Sequence, residues 1–355
     1  MTVVILLHDR LNATQQAEVV HRMTEAGARP FVHSPTLVSS PGPLATVSDA
    51  VATMPCVVDV CQLTADYPKA ARESRPAATK VEVGDCVIGG TGFAVIAGPC
   101  SVETTDQMMR TARAVRDSGA HALRGGVFKP RTSPYAFQGL GRAGLSVALE
   151  AREETGLPFV TEVVDIRDLP LLADNVDMLQ VGARNMQNYS LLREIGSLRI
   201  PVLLKRGLSA TVDETLLAAE YILDGGNEQV VICERGIRAF ESSYRFTLDL
   251  AAVTVFRERT HLPVIVDPSH AAGARGRVIP LALAAAASGA DGIIVESHCD
   301  PATALCDGQQ ALPIEQLPEL MRRLHYAVAA ADRRLELRPG APLPLLTGLP
   351  LDEAA

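Results

Sequence analysis

Apolar runs of five or six residues alternate with longer, amphipathic segments over most of the chain. Strands that are apolar throughout and alternate with amphipathic helices are typical of parallel β/α units, because helices cover both faces of such a sheet. Eight strands are predicted at 93–98, 121–126, 158–163, 177–182, 201–206, 228–235, 262–267 and 291–297. Helices are predicted between most of them, for example at 104–119, 144–156, 211–226 and 278–290.

The number and spacing of these strands indicate the fold class. Eight β/α units within about 240 residues favour an α/β fold of the (β/α)8 TIM-barrel type. An open, doubly wound sheet is the alternative, but no GxGxxG sequence follows the first strand of the series.

The first 65 residues have a different order of elements. VVILL, RPFVHS and CVVDVCQL are predicted strands, and 13–26 is a predicted helix with Asn12 or Thr14 as its cap. SSPGPLATVS predicts a turn and then a short strand, and DAVATMP predicts at most two turns of helix. This βαββαβ order is typical of a small ferredoxin-like sheet.

Four segments are therefore predicted along the chain. They are a ferredoxin-like domain at 1–65, a Pro/Ala-rich linker at 66–80, a hairpin and the barrel at 81–333, and a C-terminal extension at 334–355. The hairpin is predicted in KVEVGDCVIGG, with Gly84-Asp85 at its turn. The extension is rich in Pro and Leu and has no recognisable chemistry.

Composition and charge exclude several classes of function. The chain has 355 residues, of which 47% are hydrophobic, so a large buried core is expected. The net charge of −8 argues against nucleic-acid binding through bulk charge. The apolar run at the start is too short for a signal peptide or a membrane span. Seven scattered cysteines without a CxxC pair suit a reducing cytoplasm, which is the predicted location.

Polar groups follow every predicted barrel strand. In a barrel of this type the active site lies at the C-terminal ends of the strands, so these groups are expected at one rim. In strand order they are Pro99-Cys100-Ser101, Arg124, Glu162, Arg184, Lys205-Arg206, Glu234-Arg235, Asp267-Pro268-Ser269-His270 and Glu296-Ser297-His298. Solubility alone does not account for all eight strands ending in this way.

One set of these groups is cationic. It comprises Arg124, Lys129, Arg131, Arg184, Lys205 and Arg235. Converging cations repel one another unless an anion neutralises them, and Arg offers a planar fork that matches phosphate or carboxylate. The set therefore predicts more than one bound anionic group, such as two phosphorylated substrates. The alternative is that each Arg pairs with a nearby acid.

A second set has the chemistry of metal ligands. It comprises Cys100, His270 and Glu296, together with Asp307 beyond the eighth strand. One thiolate, one imidazole and two carboxylates suit a divalent first-row metal such as Mn, Fe, Co or Zn. Taken singly, a cysteine such as Cys100 is more often a small buried residue, and a histidine such as His270 is more often a hydrogen-bonded one. Only a barrel would bring the four together, because they are far apart in sequence.

Several longer motifs identify a family resemblance. They are GPCSVE (98–103), LRGGVFKPRTSPYAFQGLG (123–141), QVGARNMQN (180–188), PVLLKRG (201–207), ICERGIR (232–238), VDPSHAAG (266–273) and IIVESH (293–298). Over about residues 80–330 the chain resembles the type I-beta 3-deoxy-D-arabino-heptulosonate 7-phosphate (DAHP) synthases. That family condenses phosphoenolpyruvate with erythrose 4-phosphate at the entry to the shikimate pathway of aromatic amino acid biosynthesis.

The resemblance implies a role for each set of residues. Cys100, His270, Glu296 and Asp307 match the family's ligands to one divalent metal ion. Arg184, Lys205 and Arg235 match residues that bind phosphoenolpyruvate, with Arg124 close by and Lys129 between the two substrates. Pro130, Arg131, Thr132 and Ser133 match the erythrose 4-phosphate motif. Lys129, Asp267 and His270 are the implied catalytic residues.

The resemblance leaves alternatives open. The related 3-deoxy-D-manno-octulosonate 8-phosphate synthases use arabinose 5-phosphate, but they carry a KANRS-type loop where this chain has KPRTS. A catalytically silent, effector-binding homologue is disfavoured by the complete ligand set. The N-terminal region implies either inhibition by an aromatic amino acid or a structural role. A homo-oligomer, either tetramer or dimer, is implied by the resemblance alone, and a secondary-metabolite pathway would use the same chemistry.

Overall fold

The N-terminal region forms a four-stranded antiparallel sheet with two helices. The computed structural model describes residues 2–9, 11–63 and 65–338. The sheet has the order β2–β3–β1–β4. Its elements are β1 (Thr2–Leu7), α1 (Ala13–Glu25), β2 (Phe31–Ser34), β3 (Leu37–Pro41), α2 (Leu44–Val51) and β4 (Val57–Leu63). The predicted βαββαβ order is confirmed, and Asn12 caps α1 by accepting a hydrogen bond from the Gln15 amide.

The prediction for residues 39–48 was wrong in its details. The third strand lies before the Pro41-Gly42 turn rather than after it, and LATVS belongs to α2. Gly42 adopts a φ of 136°, which turns the chain there. Val47 and Val51 are four residues apart, and both are buried in the core of this region. Their helical spacing, rather than the alternation of a strand, decides the local structure.

A short hairpin precedes the barrel. It consists of β5 (Val81–Val83) and β6 (Cys86–Ile88), which pair in antiparallel register with Val83 opposite Cys86. Gly84 adopts a φ of 59° at the predicted turn. The hairpin side chains pack against residues that line the inside of the barrel.

Eight parallel strands then close into a barrel. They are β7 (Ala94–Gly98), β8 (Ala122–Arg124), β9 (Phe159–Val163), β10 (Met178–Val181), β11 (Val202–Lys205), β12 (Val230–Glu234), β13 (Val264–Val266) and β14 (Gly292–His298). Each pairs with its neighbours in sequence, and β14 pairs with both β13 and β7. The closed barrel confirms the predicted fold class and excludes the open sheet.

Helices surround the barrel, and a further short strand follows it. The helices are α3 (Thr105–Asp117), α4 (Arg142–Thr155), α5 (Leu169–Ala173), α6 (Tyr189–Gly196), α7 (Val212–Asp224), α8 (Leu250–Arg259), α9 (Pro268–Ala272), α10 (Val278–Ala287) and α11 (Leu317–Ala327). The strand β15 (Leu312–Pro313) pairs with the end of β14. The sequence after β12 has no clear helix or strand pattern, and residues 235–249 form a loop there before α8. Among the described residues, no helix is both long and apolar enough to cross a membrane.

The hairpin determines which end of the barrel is open. Gly84 lies against Pro158, directly before β9, and Gly89 lies near Pro263, directly before β13. The hairpin therefore covers the N-terminal ends of the strands, and its apolar side chains continue the interior core that includes Ile96, Leu203 and Ile265. The C-terminal ends are left as the place where a cavity can form.

The segment predicted as a linker is ordered against the barrel. The Glu220 carboxylate on α7 accepts hydrogen bonds from the amides of Lys69 and Ala70, each at 2.8 Å. His261 bonds to the Lys69 carbonyl through Nε2 at 2.7 Å and to the Thr79 hydroxyl through Nδ1 at 2.7 Å. Residues 66–80 thus form a seam between the N-terminal sheet and the barrel.

The start of the predicted C-terminal extension also contacts the barrel. The Arg334 backbone exchanges hydrogen bonds with Thr91 and Phe93, each at 2.9 Å. Arg338 forms a 2.6 Å ion pair with Asp85 of the hairpin turn. The rest of the extension, 339–355, lies outside the described residues.

Candidate active site

Strand register and one short helix bring the predicted ligands together. Glu296 on β14 lies opposite Gly98 on β7, which places Cys100 just beyond the neighbouring strand end. Asp267 directly follows β13 and caps α9 by accepting a hydrogen bond from the His270 amide at 2.9 Å, with Pro268 in the first turn. His270 therefore projects from a helix that its own sequence starts. Asp307 arrives on the loop after β14 with a φ of 51°.

The four predicted ligands form one cluster. The donor atoms of Cys100, His270, Glu296 and Asp307 all lie within 4.8 Å of one another. His270 Nε2 is 3.3 Å from Glu296 Oε1, and Cys100 Sγ is 3.6 Å from Asp307 Oδ2. One sulfur, one imidazole nitrogen and two carboxylate oxygens converging on one point fit a first-row divalent metal. The cluster is a candidate metal-binding site.

The charges around the cluster suit metal ligands. Burial opposes the charge of Glu296, but His270 and Arg124 lower its pKa to about 2, so it is a carboxylate at neutral pH. Burial lowers the pKa of His270, which favours the neutral imidazole that binds metals. His270 Nδ1 lies 2.7 Å from Asp267 Oδ2, which leaves Nε2 facing the cluster.

A second thiol lies beside the cluster. Cys306 Sγ is 3.2 Å from Cys100 Sγ, and Arg131 contacts the Cys306 sulfur. The contact with Cys306 and burial raise the pKa of the Cys100 thiol well above its usual value. All seven cysteines are unpaired, which agrees with the expectation of no disulfide framework. Cys306 was not among the residues predicted from the sequence, although it directly precedes the predicted ligand Asp307.

Lys129 reaches the cluster from the loop after β8. Its ammonium nitrogen lies 3.0 Å from the Cys100 carbonyl and 3.2 Å from Cys100 Sγ. Burial alone would lower its pKa, but Cys100 and Glu162 raise it above the usual range, so the amine keeps its proton. The loop closes on itself through the Lys129 amide, which donates to the Gln138 carbonyl at 2.9 Å.

A cavity of about 350 Å³ opens beside the cluster. It is lined by five of the six predicted cations, Lys129, Arg131, Arg184, Lys205 and Arg235, and by Pro130, Thr132, Ser133 and the ligands His270 and Asp307. Among the described residues, Lys129, Arg131, Arg184 and Arg235 form no ion pair with a carboxylate. Arg235 is buried and instead packs its guanidinium 4.3 Å from the centre of the Phe246 ring. These four cations leave the cavity with unneutralised positive charge, which favours an anionic ligand.

Two predicted site residues take other positions. Arg124 does not belong to the cavity lining but pairs with Glu296 at 2.9 Å and donates to the Cys100 carbonyl at 3.3 Å. Asp267 lies below the surface of the cavity between Lys205 and His270, whose charges hold its pKa well below the usual value despite burial. For Arg124 and Lys205 the alternative of pairing with an acid is therefore correct.

Some strand-end groups point away from the cavity. Arg206 forms ion pairs with Glu234 at 2.8 Å and Asp249 at 3.0 Å, beneath the loop after β12. His298 lies 3.5 Å from the Glu103 carboxylate. These side chains stabilise the loops around the site rather than line the cavity.

Several residues at or beside the cavity were not predicted from the sequence. Gln180 donates to Glu162 at 3.3 Å, and both face the cavity. Arg245 and Phe246 line the cavity from the loop after β12, whereas Gln310 is buried outside the cavity lining and follows Asp307 by three residues. The signal that could have found Gln310 is its place in the segment CDGQQAL, next to a predicted ligand. Arg245 gave no such signal, because only the folded loop brings it to the site.

The fold and the two adjoining sets of residues define a class. This is a (β/α)8-barrel protein with a candidate metal site beside a cation-lined cavity at the C-terminal end of the strands. A family model for the DAHP synthetase I family matches residues 72–329, which is more than half of the chain. The chain belongs to that family.

Individual relatives support the assignment. The chain is 48% identical over 278 residues to a phospho-2-dehydro-3-deoxyheptonate aldolase of Thermotoga maritima, covering 78% of this chain and 82% of the relative. It is 32% identical over 255 residues to a 2-dehydro-3-deoxyphosphooctonate aldolase of Syntrophobacter fumaroxidans, covering 67% and 88%. The crystal structure of the phospho-2-dehydro-3-deoxyheptonate aldolase (DAHP synthase) of Thermotoga maritima aligns with a TM-score of 0.76 and 40% identity, covering 94% of this chain and 99% of that one.

Proposed function

We propose that this protein condenses phosphoenolpyruvate with erythrose 4-phosphate and water to form DAHP and phosphate, the first step of the shikimate pathway. The observation that carries the proposal is the cavity in which four cations, unpaired with any carboxylate of the described residues, adjoin the Cys100, His270, Glu296 and Asp307 cluster. Family membership and the 48% identical relative named for the same reaction product support it. The 32% identity to an octulosonate aldolase and the KPRTS loop make arabinose 5-phosphate the weaker second candidate.

The cations would hold the two substrates in line. Arg184, Lys205 and Arg235 bind the phosphate and carboxylate of phosphoenolpyruvate, while Arg131, Thr132 and Ser133 receive the phosphate of the sugar. Pro130 restricts the backbone between Lys129 and Arg131 and so maintains the separation of the two anion sites. Fixing both substrates directs C3 of phosphoenolpyruvate at the aldehyde carbon, which supplies orientation. Arg124 is paired with Glu296 and acts on the substrate indirectly, through that carboxylate.

Lys129 is the proposed proton donor. Because the pKa of its ammonium is raised, the group is charged at neutral pH and can stabilise or protonate the alkoxide that forms when the aldehyde is attacked. Water adds to C2, and phosphate leaves as that carbon becomes the ketone of DAHP. Asp267 orients His270 and pairs with Lys205, and this is how Asp267 and His270 enter the proposed catalytic set.

The residues that would hold the metal are the four of the cluster. A divalent metal bound there would supply Lewis acidity toward the aldehyde oxygen.

An aromatic amino acid effector and a homo-oligomeric state stay predictions, as does cytoplasmic location.

The choice of aldehyde tests the proposal. We expect the metal-loaded protein to release phosphate from phosphoenolpyruvate with erythrose 4-phosphate and to have a lower kcat/KM with arabinose 5-phosphate. Treatment with a chelator should remove the activity, and addition of Mn²⁺ or Co²⁺ should restore it. A preference for arabinose 5-phosphate would replace the proposed substrate, and activity that persists after complete metal removal would contradict the metal-dependent reaction.

A further inference from the structure

The side chains of Arg245 and Gln310 connect two of the candidate metal ligands, Glu296 and Asp307. Arg245 donates a hydrogen bond to Gln310 Oε1 at 2.8 Å, and Gln310 Nε2 donates to Glu296 Oε2 at 2.7 Å. The same Arg245 nitrogen lies 3.8 Å from Asp307 Oδ1. The Arg245 guanidinium, on the loop after β12, therefore acts on two candidate ligands. Glu296 lies on β14, and Asp307 lies on the loop that follows β14.

The direction of the Gln310 amide matters to Glu296. The Gln310 side chain is fully buried, and a primary amide has one end that donates and one that accepts. Since an Arg only donates, Arg245 requires the carbonyl oxygen of Gln310 on its side and leaves the NH₂ group for Glu296. The reversed amide would present a carbonyl oxygen to a carboxylate and leave a guanidinium donor unused.

Gln310 and Arg245 each contact one oxygen of a ligand carboxylate, while the other oxygen of that carboxylate faces the remaining ligands. Gln310 holds Oε2 of Glu296, while Oε1 faces His270 Nε2 at 3.3 Å and Arg124 at 2.9 Å. Arg245 lies near Oδ1 of Asp307, while Oδ2 is the atom near Cys100 and His270. Arg245 thus biases which oxygen of Asp307 turns to the cluster.

The position of Arg245 is itself constrained. The next residue, Phe246, donates its amide to the Ala271 carbonyl at 3.1 Å, which ties the loop to α9. Gly273 ends α9 with a φ of 64°, and a Cβ there would lie 2.5 Å from Cβ of Arg245. The Gln310 segment is anchored separately, because the Arg275 amide donates to the Gln309 carbonyl at 3.0 Å and the Arg275 guanidinium donates to the Ala311 carbonyl at 2.8 Å.

We infer that Arg245 and Gln310 are positioning residues that orient the Glu296 and Asp307 carboxylates for a divalent metal ion. The inference rests on the proposed metal site but not on the identity of the sugar substrate. Groups that hydrogen-bond to metal ligands commonly change metal affinity by about 10- to 100-fold when removed. Arg245 acts on Glu296 through Gln310, so the two residues form one chain of hydrogen bonds that ends at Glu296.

Metal binding by the apoprotein tests this inference without any catalytic assay. Chelator-treated protein is titrated with Co²⁺, and Kd is measured by competition with a chelator of known affinity, with the thiolate-to-cobalt absorption as a second readout. We expect Arg245→Met and Gln310→Met each to raise the Co²⁺ Kd at least about tenfold. In the double variant, the loss of Co²⁺ affinity should be much smaller than the sum of the two single losses, because both substitutions interrupt the same chain of hydrogen bonds. Arg245→Lys should recover part of the affinity, since its ammonium can still face Asp307.

The control is Arg238→Met, which removes an exposed cation from the same loop. It should leave the Co²⁺ Kd unchanged. The unfolding midpoint of each metal-free variant should stay near that of the wild type, whereas a merely structural role for Arg245 would lower it without a selective effect on Co²⁺ binding.

Two outcomes would overturn the inference, and a third would overturn only the proposed function. An unchanged Co²⁺ Kd in Arg245→Met contradicts it directly, and weaker binding of phosphoenolpyruvate by that variant with unchanged Kd would make Arg245 a substrate ligand. Failure of the wild-type protein to bind Co²⁺ would remove the metal site and the inference together. Changed Kd values in a protein that does not use erythrose 4-phosphate would keep the inference and contradict only the proposed function.

Discussion

Cys100 and Cys233 show how position, rather than residue type, decides what a cysteine does. Both thiols are buried, with exposed fractions of 2% and 0%. Cys233 lies on β12 within the apolar interior of the barrel, and burial raises the pKa of its thiol. Cys100 lies beyond the end of β7 among His270, Glu296 and Asp307. Within the described part of the chain, the environment of Cys100, and not that of Cys233, groups further candidate metal ligands.

The two cysteines therefore form a matched pair of substitutions. We expect Cys100→Ala to abolish metal-dependent activity and to weaken Co²⁺ binding strongly, while the protein stays folded. Cys233→Ala should keep both properties and lower the free energy of unfolding by about 1 kcal/mol, because it leaves a small cavity in the core. Phosphate release, Co²⁺ titration and urea denaturation measure the three effects. Full metal-dependent activity in Cys100→Ala would contradict the ligand assignment.

At the scale of elements, the approach of β7 to β8 positions the cluster. Gly98 ends β7 with a φ of 147°, and a Cβ at this residue would lie 2.1 Å from the carbonyl oxygen of Arg124 on β8. The Arg124 side chain in turn pairs with Glu296 on β14. Close packing of these backbones thus links three strands that carry or hold candidate ligands.

Gly98→Ala tests this element-scale constraint. The added methyl group cannot fit without moving backbone, so we expect the free energy of unfolding to fall by more than about 2 kcal/mol. Co²⁺ binding should weaken as well, because Cys100 and Glu296 would be displaced. At Gly276 an added Cβ would meet no atom within 4 Å. Gly276→Ala should therefore change stability by less than about 0.5 kcal/mol, and equal effects of the two substitutions would contradict the argument.

At the scale of the whole molecule, the seam of residues 66–80 joins the N-terminal sheet to the barrel. Val4, Leu6, Leu37 and Leu63 of the sheet share one core with Tyr67 and Ala70 of the seam and with the barrel helices. Glu220 is the polar anchor, and burial raises its pKa to about 7 although two amides and Lys69 oppose the shift. The attachment of the N-terminal region therefore includes a carboxyl group that titrates near neutral pH.

The sign of the pH dependence follows from this pKa. An acid whose pKa is higher in the folded state binds its proton more tightly there, so its contribution to stability is greatest below the unfolded pKa of about 4.3. That contribution falls as pH rises through about 7. The buried His261 in the same seam, with its pKa lowered to about 4, has the opposite effect between that value and about 6.5. A comparison with a Glu220 variant is needed to separate the two.

Glu220→Gln provides that comparison. We expect the stability of the wild type relative to Glu220→Gln to fall by about 2 kcal/mol between pH 5 and pH 8, because only the wild type must ionise a buried carboxyl group. Urea denaturation at several pH values measures the difference, and the His261 contribution cancels in it. A difference that is constant across this range would show that Glu220 does not titrate as described.

The sequence by itself determined the barrel, the order of the N-terminal elements and the rim that carries the chemistry. Period and apolar content are local properties, so each strand and most helices could be recognised from their own residues. The rule that parallel strands present their C-terminal ends at one rim then selected Cys100, His270 and Glu296. The wrong strand at 39–48 shows the limit of local pattern, since Val47 and Val51 adopt helix spacing only where a core receives them.

Tertiary structure decided which neighbour each side chain meets. Arg124 and Arg206 are similar strand-end cations in the sequence, yet one contacts Glu296 and the other Glu234 and Asp249. The proximity of Cys306 to Cys100 and the link from Arg245 to Gln310 join residues 206 and 65 positions apart. Closure of the barrel and the path of its loops set these distances, and hydrogen bonds and ion pairs depend on distances of a few ångströms that no local sequence pattern records.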